Sequence, residues 1–209
     1  MRVLALGAHF DDVELGCGGT IARHVENGDT VIIFVATHSG YSDHAGRVIR
    51  KPEIALAEGQ AAAEILGASD LICADYPTNQ LEFNDGLMCS LLKVIEPYKP
   101  SIIYTHWDGD VHHDHRSLAR ASLAAARHIP RLLMYRSNYY DGEKPFMGNF
   151  YVDVTTTLEK KKKAIKAHES EYQRAGEKWL RFFLNQHEND GYKIGVKYAE
   201  SFHLVKYLV

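Results

Sequence analysis

Two short runs concentrate the residues of this chain that could do chemistry. The first is His9-Phe10-Asp11-Asp12, an imidazole followed by two adjacent carboxylates. The second is His106-Trp107-Asp108-Gly109-Asp110-Val111-His112-His113-Asp114-His115. Histidine nitrogens and aspartate oxygens ligate divalent metals, and three protein donors with one position open to water is the pattern of a catalytic zinc centre. Crowded carboxylates and imidazoles cost stability unless something cationic satisfies them. Either run alone would pass for a solvated loop or a structural histidine; His-x-x-Asp and His-x-x-His together point to a metal. On this reading His9 and Asp12 hold the metal. Asp11 works beside it as a base, because neighbouring side chains diverge and leave Asp11 free to take a proton from water. Which histidine of the second run completes the set stays open at this point.

Both runs need elements to position them. The apolar run Val3-Leu4-Ala5-Leu6 lies in a strand over 2–8, and 16–27 reads as the helix that follows, closed by Asn27-Gly28-Asp29. Val31 to Ala36 is a second strand without polar alternation, as in parallel strands covered on both faces. A loop over 38–47 follows. A helix then starts at Lys51-Pro52-Glu53 and stops at Gly67. Asp70 to Ala74, Ser101 to Thr105 and Leu132 to Tyr135 read as further strands, and Leu87 to Ile95 and the alanine-rich Arg116 to His128 as helices. Tyr76 to Phe83 and His106 to Asp114 read as loops. This alternation predicts an α/β fold, a Rossmann-like, mostly parallel sheet flanked by helices. In such a sheet the first and fourth strands end on one edge, so the two runs meet over one crevice. The pattern then changes. Asn149 to Val154 alternates like a half-exposed edge strand, 157–173 reads as one long charged helix, 177–186 as another, and 202–208 as a last strand. No repeat, linker or low-complexity segment interrupts 1–209, which reads as a single domain.

The 209 residues carry a formal net charge of −3, which gives no pull toward nucleic acid or an anionic membrane. The basic run 160–163 lies in a helical pattern and reads as a solvated face. No run of eighteen apolar residues predicts a membrane span, and the apolar stretch before His9 is too short for a signal peptide. Three widely spaced cysteines without a Cys-x-x-Cys fit a reducing cytoplasm. Gly16-Cys17-Gly18-Gly19 does not make a dinucleotide fingerprint, since the sixth position is Ile21 and the strand ends well before it. These glycines instead allow the first helix to pack closely beneath the site. Trp179, Phe182 and Phe183 either cover a core or form the contact of a homo-oligomer.

Ala8-His9-Phe10-Asp11-Asp12-Val13-Glu14 closely resembles the Ala-His-Pro-Asp-Asp-x-Glu signature of the LmbE-like, or PIG-L, deacetylase family, and His112-His113-Asp114-His115 resembles its His-Pro-Asp-His signature. Arg50-Lys51-Pro52-Glu53 with Leu66-Gly67, Lys163-Ala164-Ile165 with His168-Glu169-Ser170, and Tyr198 to Phe202 resemble weaker family features. The resemblance spans nearly the whole chain. It implies an LmbE-like fold and removal of N-acetyl groups from amino sugars or their conjugates, with a divalent metal, usually zinc, held by two histidines and an aspartate. By motif position the ligands are His9, Asp12 and His115, and Asp11 is the general base. His112, as an imidazolium, stabilises the oxyanion or protonates the amine, and Asp114 orients a neighbouring histidine. Phe10 and His113 stand where the family has Pro, and Glu171 where members often have Gln. Sugar-binding groups are expected from the loops at the strand ends, His38, Ser39 and 47–50 with Arg50 after the second strand and Asn79 and Gln80 after the third, and from Trp107 and His168. Two other readings share the residues: a non-haem Fe(II) enzyme, whose facial triad uses the same donor set, and an inactive metal- or nucleotide-binding module.

Overall fold

In the computed structural model, which describes residues 1–209, Val3, Leu4, Ala5 and Leu6 are all fully buried. Their strand is covered on both faces: Val3 and Ala5 enter one apolar cluster, Leu4 and Leu6 the other. The next strand divides in the same way, with Val31, Ile33 and Val35 on one side and Ile32, Phe34 and Ala36 on the other. Double burial is why neither strand alternates.

In chain order the elements are β1 (Arg2–Gly7), α1 (Asp12–Glu26), β2 (Thr30–Thr37), β3 (Tyr41–Ser42), β4 (Val48–Arg50), α2 (Pro52–Leu66), β5 (Asp70–Tyr76), α3 (Asp85–Tyr98), β6 (Ile102–His106), α4 (His113–Ala125), β7 (Arg131–Tyr135), β8 (Phe150–Asp153), α5 (Leu158–Ala167), α6 (Glu169–Ala175), α7 (Glu177–Ile194) and β9 (Ala199–Tyr207). The main sheet runs β5-β2-β1-β6-β7-β9-β8. Its first five strands are parallel, β9 is antiparallel to β7, and β8 is the antiparallel edge. Apolar residues of α1, α2 and α5 cover one face, and those of α3 and α4 the other. Strand order reverses between β1 and β6, so their carboxyl ends flank the crevice where ligands bind in such sheets. His9 follows β1 and His106 ends β6. No helix is long and apolar enough to cross a membrane.

Four local departures from the sequence expectation shape the site. Helices α1 and α4 begin at Asp12 and His113, not at 16 and 116, so both runs climb onto a first helical turn. At α4 a side chain supplies an acceptor that the first turn lacks: His112 Nδ1 accepts the Asp114 N–H at 3.2 Å. The expected loop over 38–47 folds into a β3–β4 hairpin that pairs Tyr41 with Arg50. The long helix breaks at His168 (φ −78, ψ 63), whose ring is fully buried. Finally, Lys161 is not on a solvated face. It is 1% exposed, and its Nζ donates to Glu200 Oε1 at 2.6 Å and to the Leu15 carbonyl at 2.7 Å. Glu200 in turn accepts the Gly19 and Thr20 N–H groups at 2.9 and 2.7 Å, next to a kink in α1 at Cys17.

Close packing of α1 does require its glycines. A Cβ on Gly16 would stand 2.0 Å from the Tyr135 ring, and one on Gly19 2.9 Å from Val154. Trp179 and Phe183 are buried in a third small cluster with Leu15, Ile165 and Leu180.

Candidate active site

The first turns of α1 and α4 face each other across the β1–β6 crevice. There His115 Nε2 lies 3.2 Å from Asp12 Oδ1 and 3.2 Å from His9 Nδ1, and His9 Nδ1 lies 3.4 Å from Asp12 Oδ2. The two contacts to Asp12 use different oxygens, Oδ1 toward His115 and Oδ2 toward His9, so two imidazole nitrogens and one carboxylate converge on the same point, and nitrogen and oxygen ligands of these kinds hold zinc at about 2.0–2.2 Å. Each histidine has a carboxylate at its other nitrogen: Asp114 Oδ2 is 2.9 Å from His9 Nε2, and Asp110 Oδ2 is 3.2 Å from His115 Nδ1. Such partners orient metal-binding imidazoles and raise their basicity. Asp12 is steadied by the His9 N–H at 2.7 Å and the Ser137 hydroxyl at 2.9 Å. The residues present therefore fit a divalent cation.

His106 is a rival donor, with Nε2 3.2 Å from Asp12 Oδ2. The Ala8 N–H already donates to that nitrogen at 3.0 Å, which occupies its lone pair. His106 instead stacks under His115, ring centroids 4.0 Å apart. Its support for the site is a feature sequence reasoning passed over, although it opens the second run. His112 stands beside the triad, its ring 4.8 Å from that of His9.

Without a metal the donors share protons. Burial works against a charged His9, but hydrogen bonds to Asp114 and Asp12 outweigh it and raise its pKa to about 9. His115, opposed by burial and favoured by the charge of Asp12 and by Asp110, rises to about 10. Asp12 is driven well below the usual carboxylate range, its burial overcome by the charges of His115 and His106. The cluster thus attracts positive charge strongly enough to hold two protons. Asp11 behaves oppositely: burial and the charge of Asp12 raise it to about 7, despite His168 and Arg50. Asp114 is held to about 2, burial notwithstanding, by His9 and the N–H groups of Leu81 and Asn79. Burial and the charges of His115 and His9 push His112 down to about 4. The expected imidazolium at His112 is therefore replaced by a neutral ring. Since Nδ1 accepts the Asp114 N–H, its proton sits on Nε2.

His9, Asp11, Asp12, His112 and His115 all line one cavity of about 500 Å³, within the usual range for small-molecule sites. Of the residues expected to contact a sugar, Arg50, Ser39 and Asn79 border it, and His38, Trp107 and His168 do not. Arg50 is just 4% exposed, and its guanidinium serves the Phe10 carbonyl at 3.1 Å and Glu58 at 2.7 Å. His38 turns away, its Nδ1 accepting the Gly40 N–H at 3.0 Å, while Ser39 takes the place beside the cavity. Trp107 packs on Phe146 and His203 outside the cavity. His168 is buried behind it, with Nε2 3.5 Å from Glu14 and Nδ1 3.3 Å from Arg50. Bulk and polarity come instead from residues not singled out for contact: Tyr41, Ser137 to Tyr140, Glu171, Arg174 and Trp179. Ser137 to Tyr140 follow β7, and their place at a parallel strand's carboxyl end was a readable signal. Tyr41 reaches the cavity through the hairpin and donates to Glu171 Oε1 at 2.7 Å, while Arg174 pairs with the other oxygen; nothing local in the sequence announces that arrangement.

The family model described as PIG-L, GlcNAc-PI de-N-acetylase, matches residues 4–126. This chain belongs to the PIG-L family. The match covers both histidine–aspartate runs, from β1 through α4. The uncharacterized deacetylase YaiS of Escherichia coli K12 is 34% identical over 142 residues, which are 65% of this chain and 73% of that one. Diacetylchitobiose deacetylase of Thermococcus kodakarensis is 25% identical over 224 residues, covering 98% of this chain and 83% of the relative. Among solved structures, the conserved protein TT1542 of Thermus thermophilus superposes with a TM-score of 0.84 at 26% identity, covering 99% of this chain and 96% of that one. The PIG-L chain is thus a deacetylase by family, with the LmbE-like sheet that its alternation of strands and helices implies.

Proposed function

We propose that this PIG-L chain is a zinc-dependent hydrolase that removes the N-acetyl group from an amino sugar or amino-sugar conjugate. The observation that carries the reading is the convergence of His9 Nδ1 and His115 Nε2, 3.2 Å apart, on the two oxygens of Asp12, 3.4 and 3.2 Å away, in the wall of a cavity that Asp11 shares. A divalent metal held by those three residues would polarise the amide carbonyl and lower the pKa of water at the site. Asp11 accepts a proton from the attacking water, a task suited to a carboxylate poised near neutrality. The neutral His112 turns its Nε2–H toward the carbonyl oxygen, on which negative charge grows as water adds, and a donor so placed is worth about 10²–10³ in rate. Asp11 then returns its proton to the amide nitrogen. The C–N bond breaks, and acetate and free amine leave in equal amounts. Tyr139, Tyr140 and Trp179 offer apolar faces to a sugar ring, and Asn79, Asn138 and Glu171 offer hydrogen bonds to its hydroxyls. The three free cysteines support a reducing, cytoplasmic setting.

The test is acetate and free-amine release by the zinc-loaded protein, without oxygen, from N-acetylglucosamine, diacetylchitobiose and aryl N-acetylglucosaminides. Equimolar release that is lost on chelation and restored by zinc supports the reading. Turnover that demands ferrous iron and oxygen, or no release from any of these by protein with zinc bound, overturns it.

A further inference from the structure

His106, Ser137 and Asp12 are all buried, and they meet where β6 and β7 end and α1 begins. Hydrogen bonds run through them in one direction. The Ala8 N–H donates to His106 Nε2 at 3.0 Å. A ring nitrogen that accepts carries no proton, so the His106 proton sits on Nδ1. Nδ1 lies 3.3 Å from Ser137 Oγ, and the Ser137 hydroxyl donates to Asp12 Oδ1 at 2.9 Å. Every donor finds an acceptor, and the chain ends on a carboxylate, which only accepts. Tyr135 does not interrupt it. Its hydroxyl, 3.5 Å from His106 Nε2, donates to the Leu6 carbonyl at 2.7 Å.

The chain closes a loop, leaving the backbone at Ala8 and returning to it at Asp12, across the turn that carries His9. The Ala8 carbonyl is fixed from β2 by the N–H and hydroxyl of Thr37, at 3.0 and 2.8 Å. The next N–H, that of His9, holds the other Asp12 oxygen, Oδ2, at 2.7 Å. Each oxygen of Asp12 therefore has its own donor. The His106 ring also lies under that of His115, with centroids 4.0 Å apart and planes 17° from parallel. One imidazole that binds no metal thus braces Asp12 through a hydroxyl and His115 through its face.

We propose that His106 is a positioning residue for the metal centre: as the Nδ1–H tautomer it directs the Ser137 hydroxyl onto Asp12, and its ring backs His115. The inference rests on His9, Asp12 and His115 being the metal donors, as read above. A competing arrangement uses the other nitrogen, since His106 Nε2 is also 3.2 Å from Asp12 Oδ2. A proton on Nε2 would bond Asp12 directly, but it would set the ring N–H against the Ala8 N–H, donor to donor. The two tautomers make opposite demands on a substitute. An asparagine amide falls near the position of Nδ1 and can donate to Ser137. A glutamine amide falls near that of Nε2 and can reach only Ala8 and Asp12. Both lose the ring under His115, so the difference between them reads the hydrogen bond alone.

Zinc affinity is measured by chelator competition for wild type, His106→Asn, His106→Gln and Ser137→Ala. Long-range proton–nitrogen NMR reads the His106 tautomer in wild type, with zinc and without. The expected result is a proton on His106 Nδ1 and a bare Nε2. Ser137→Ala and His106→Gln should each bind zinc about 10- to 100-fold more weakly than wild type, the scale of losing a group that orients a metal ligand. His106→Asn should bind about tenfold more tightly than His106→Gln. In the His106→Gln background, Ser137→Ala should remove nothing further, because the two act through one chain. A proton on Nε2, zinc held as tightly by His106→Gln as by His106→Asn, or wild-type affinity in Ser137→Ala overturns the assignment. The NMR readout uses wild type, so it decides the matter even where a variant fails to fold. Should wild type bind no zinc, the functional reading fails, and the tautomer still decides whether His106 directs the Ser137 hydroxyl.

Discussion

Asp114→Asn is the perturbation whose consequences can be worked furthest from the structure. Asp114 is fully buried, and four groups use its two oxygens. Oδ2 takes His9 Nε2 at 2.9 Å and the Asn79 N–H at 2.8 Å; Oδ1 takes the Leu81 N–H at 2.9 Å and lies 3.0 Å from His113 Nε2. An amide has one oxygen. If it serves His9 and Asn79, the new NH₂ meets the Leu81 N–H donor to donor; turned round, it abandons His9 and Asn79. At least one buried backbone N–H loses its acceptor either way, a cost of about 1–3 kcal/mol. For a chain of this size that corresponds to a Tm lower by roughly 2–12 °C. Metal affinity falls as well, by about 10–100-fold when a carboxylate partner of a ligating imidazole is lost. The pH dependence is the sharper signature. At pH 7 a metal must displace the proton that His9 binds with a pKa of about 9, a penalty of about 2.7 kcal/mol. Without the Asp114 charge His9 holds that proton less tightly, so the penalty shrinks and offsets part of the loss at pH 7. At pH 9 the offset has nearly gone. Zinc affinity by chelator competition should therefore fall further below wild type at pH 9 than at pH 7, with calorimetry giving the Tm change. Equal ratios at both pH values, with an unchanged Tm, would refute the role given to this carboxylate.

Further expectations are as specific. Asp11→Asn should retain zinc and lower kcat by about 10²–10⁴, read from single-turnover acetate release. The same change should raise the Tm of the metal-free protein at pH 8 and not at pH 4. The Asp11 pKa is raised by folding, so native stability is lost as pH climbs through the window between about 4 and 7, and a neutral amide escapes that loss. Lys161→Met should cost about 3–5 kcal/mol in urea unfolding, because it leaves Glu200 buried without its cation. Trp107→Phe should leave kcat and KM near their wild-type values, since the indole packs on Phe146 and His203 and not in the cavity.

Much of the architecture was legible because it follows from periodicity and from chemistry that local sequence carries. Val3 to Leu6 and Val31 to Ala36 lack alternation because both faces are covered, and a doubly covered strand is a parallel one. The metal reading rested on residue types at fixed spacing after two strands, and adjacency of β1 and β6 brings those runs together. What could not be read locally depends on partners distant in the chain. Lys161 reads as one of four similar lysines; only the approach of Glu200 and the Leu15 carbonyl makes it the buried one. His38 and Ser39 are neighbours, yet the hairpin turns one away and the other toward Phe10.

The division is plainest in the first run. Sequence alone determined that His9, Asp11 and Asp12 stand where β1 gives way to α1, and that a second histidine-rich run shares their edge of the sheet. Composition and spacing suffice for that, since the winding of a parallel sheet places strand ends together. Only the tertiary structure decided which atoms do what. The Ala8 N–H withdraws His106 from the donor set, Asp114 accepts at His9 Nε2, and Arg50 donates to the Phe10 carbonyl just before Asp11. Each of these is a hydrogen bond between groups far apart in sequence, with directions that exist only once the chain has folded around them.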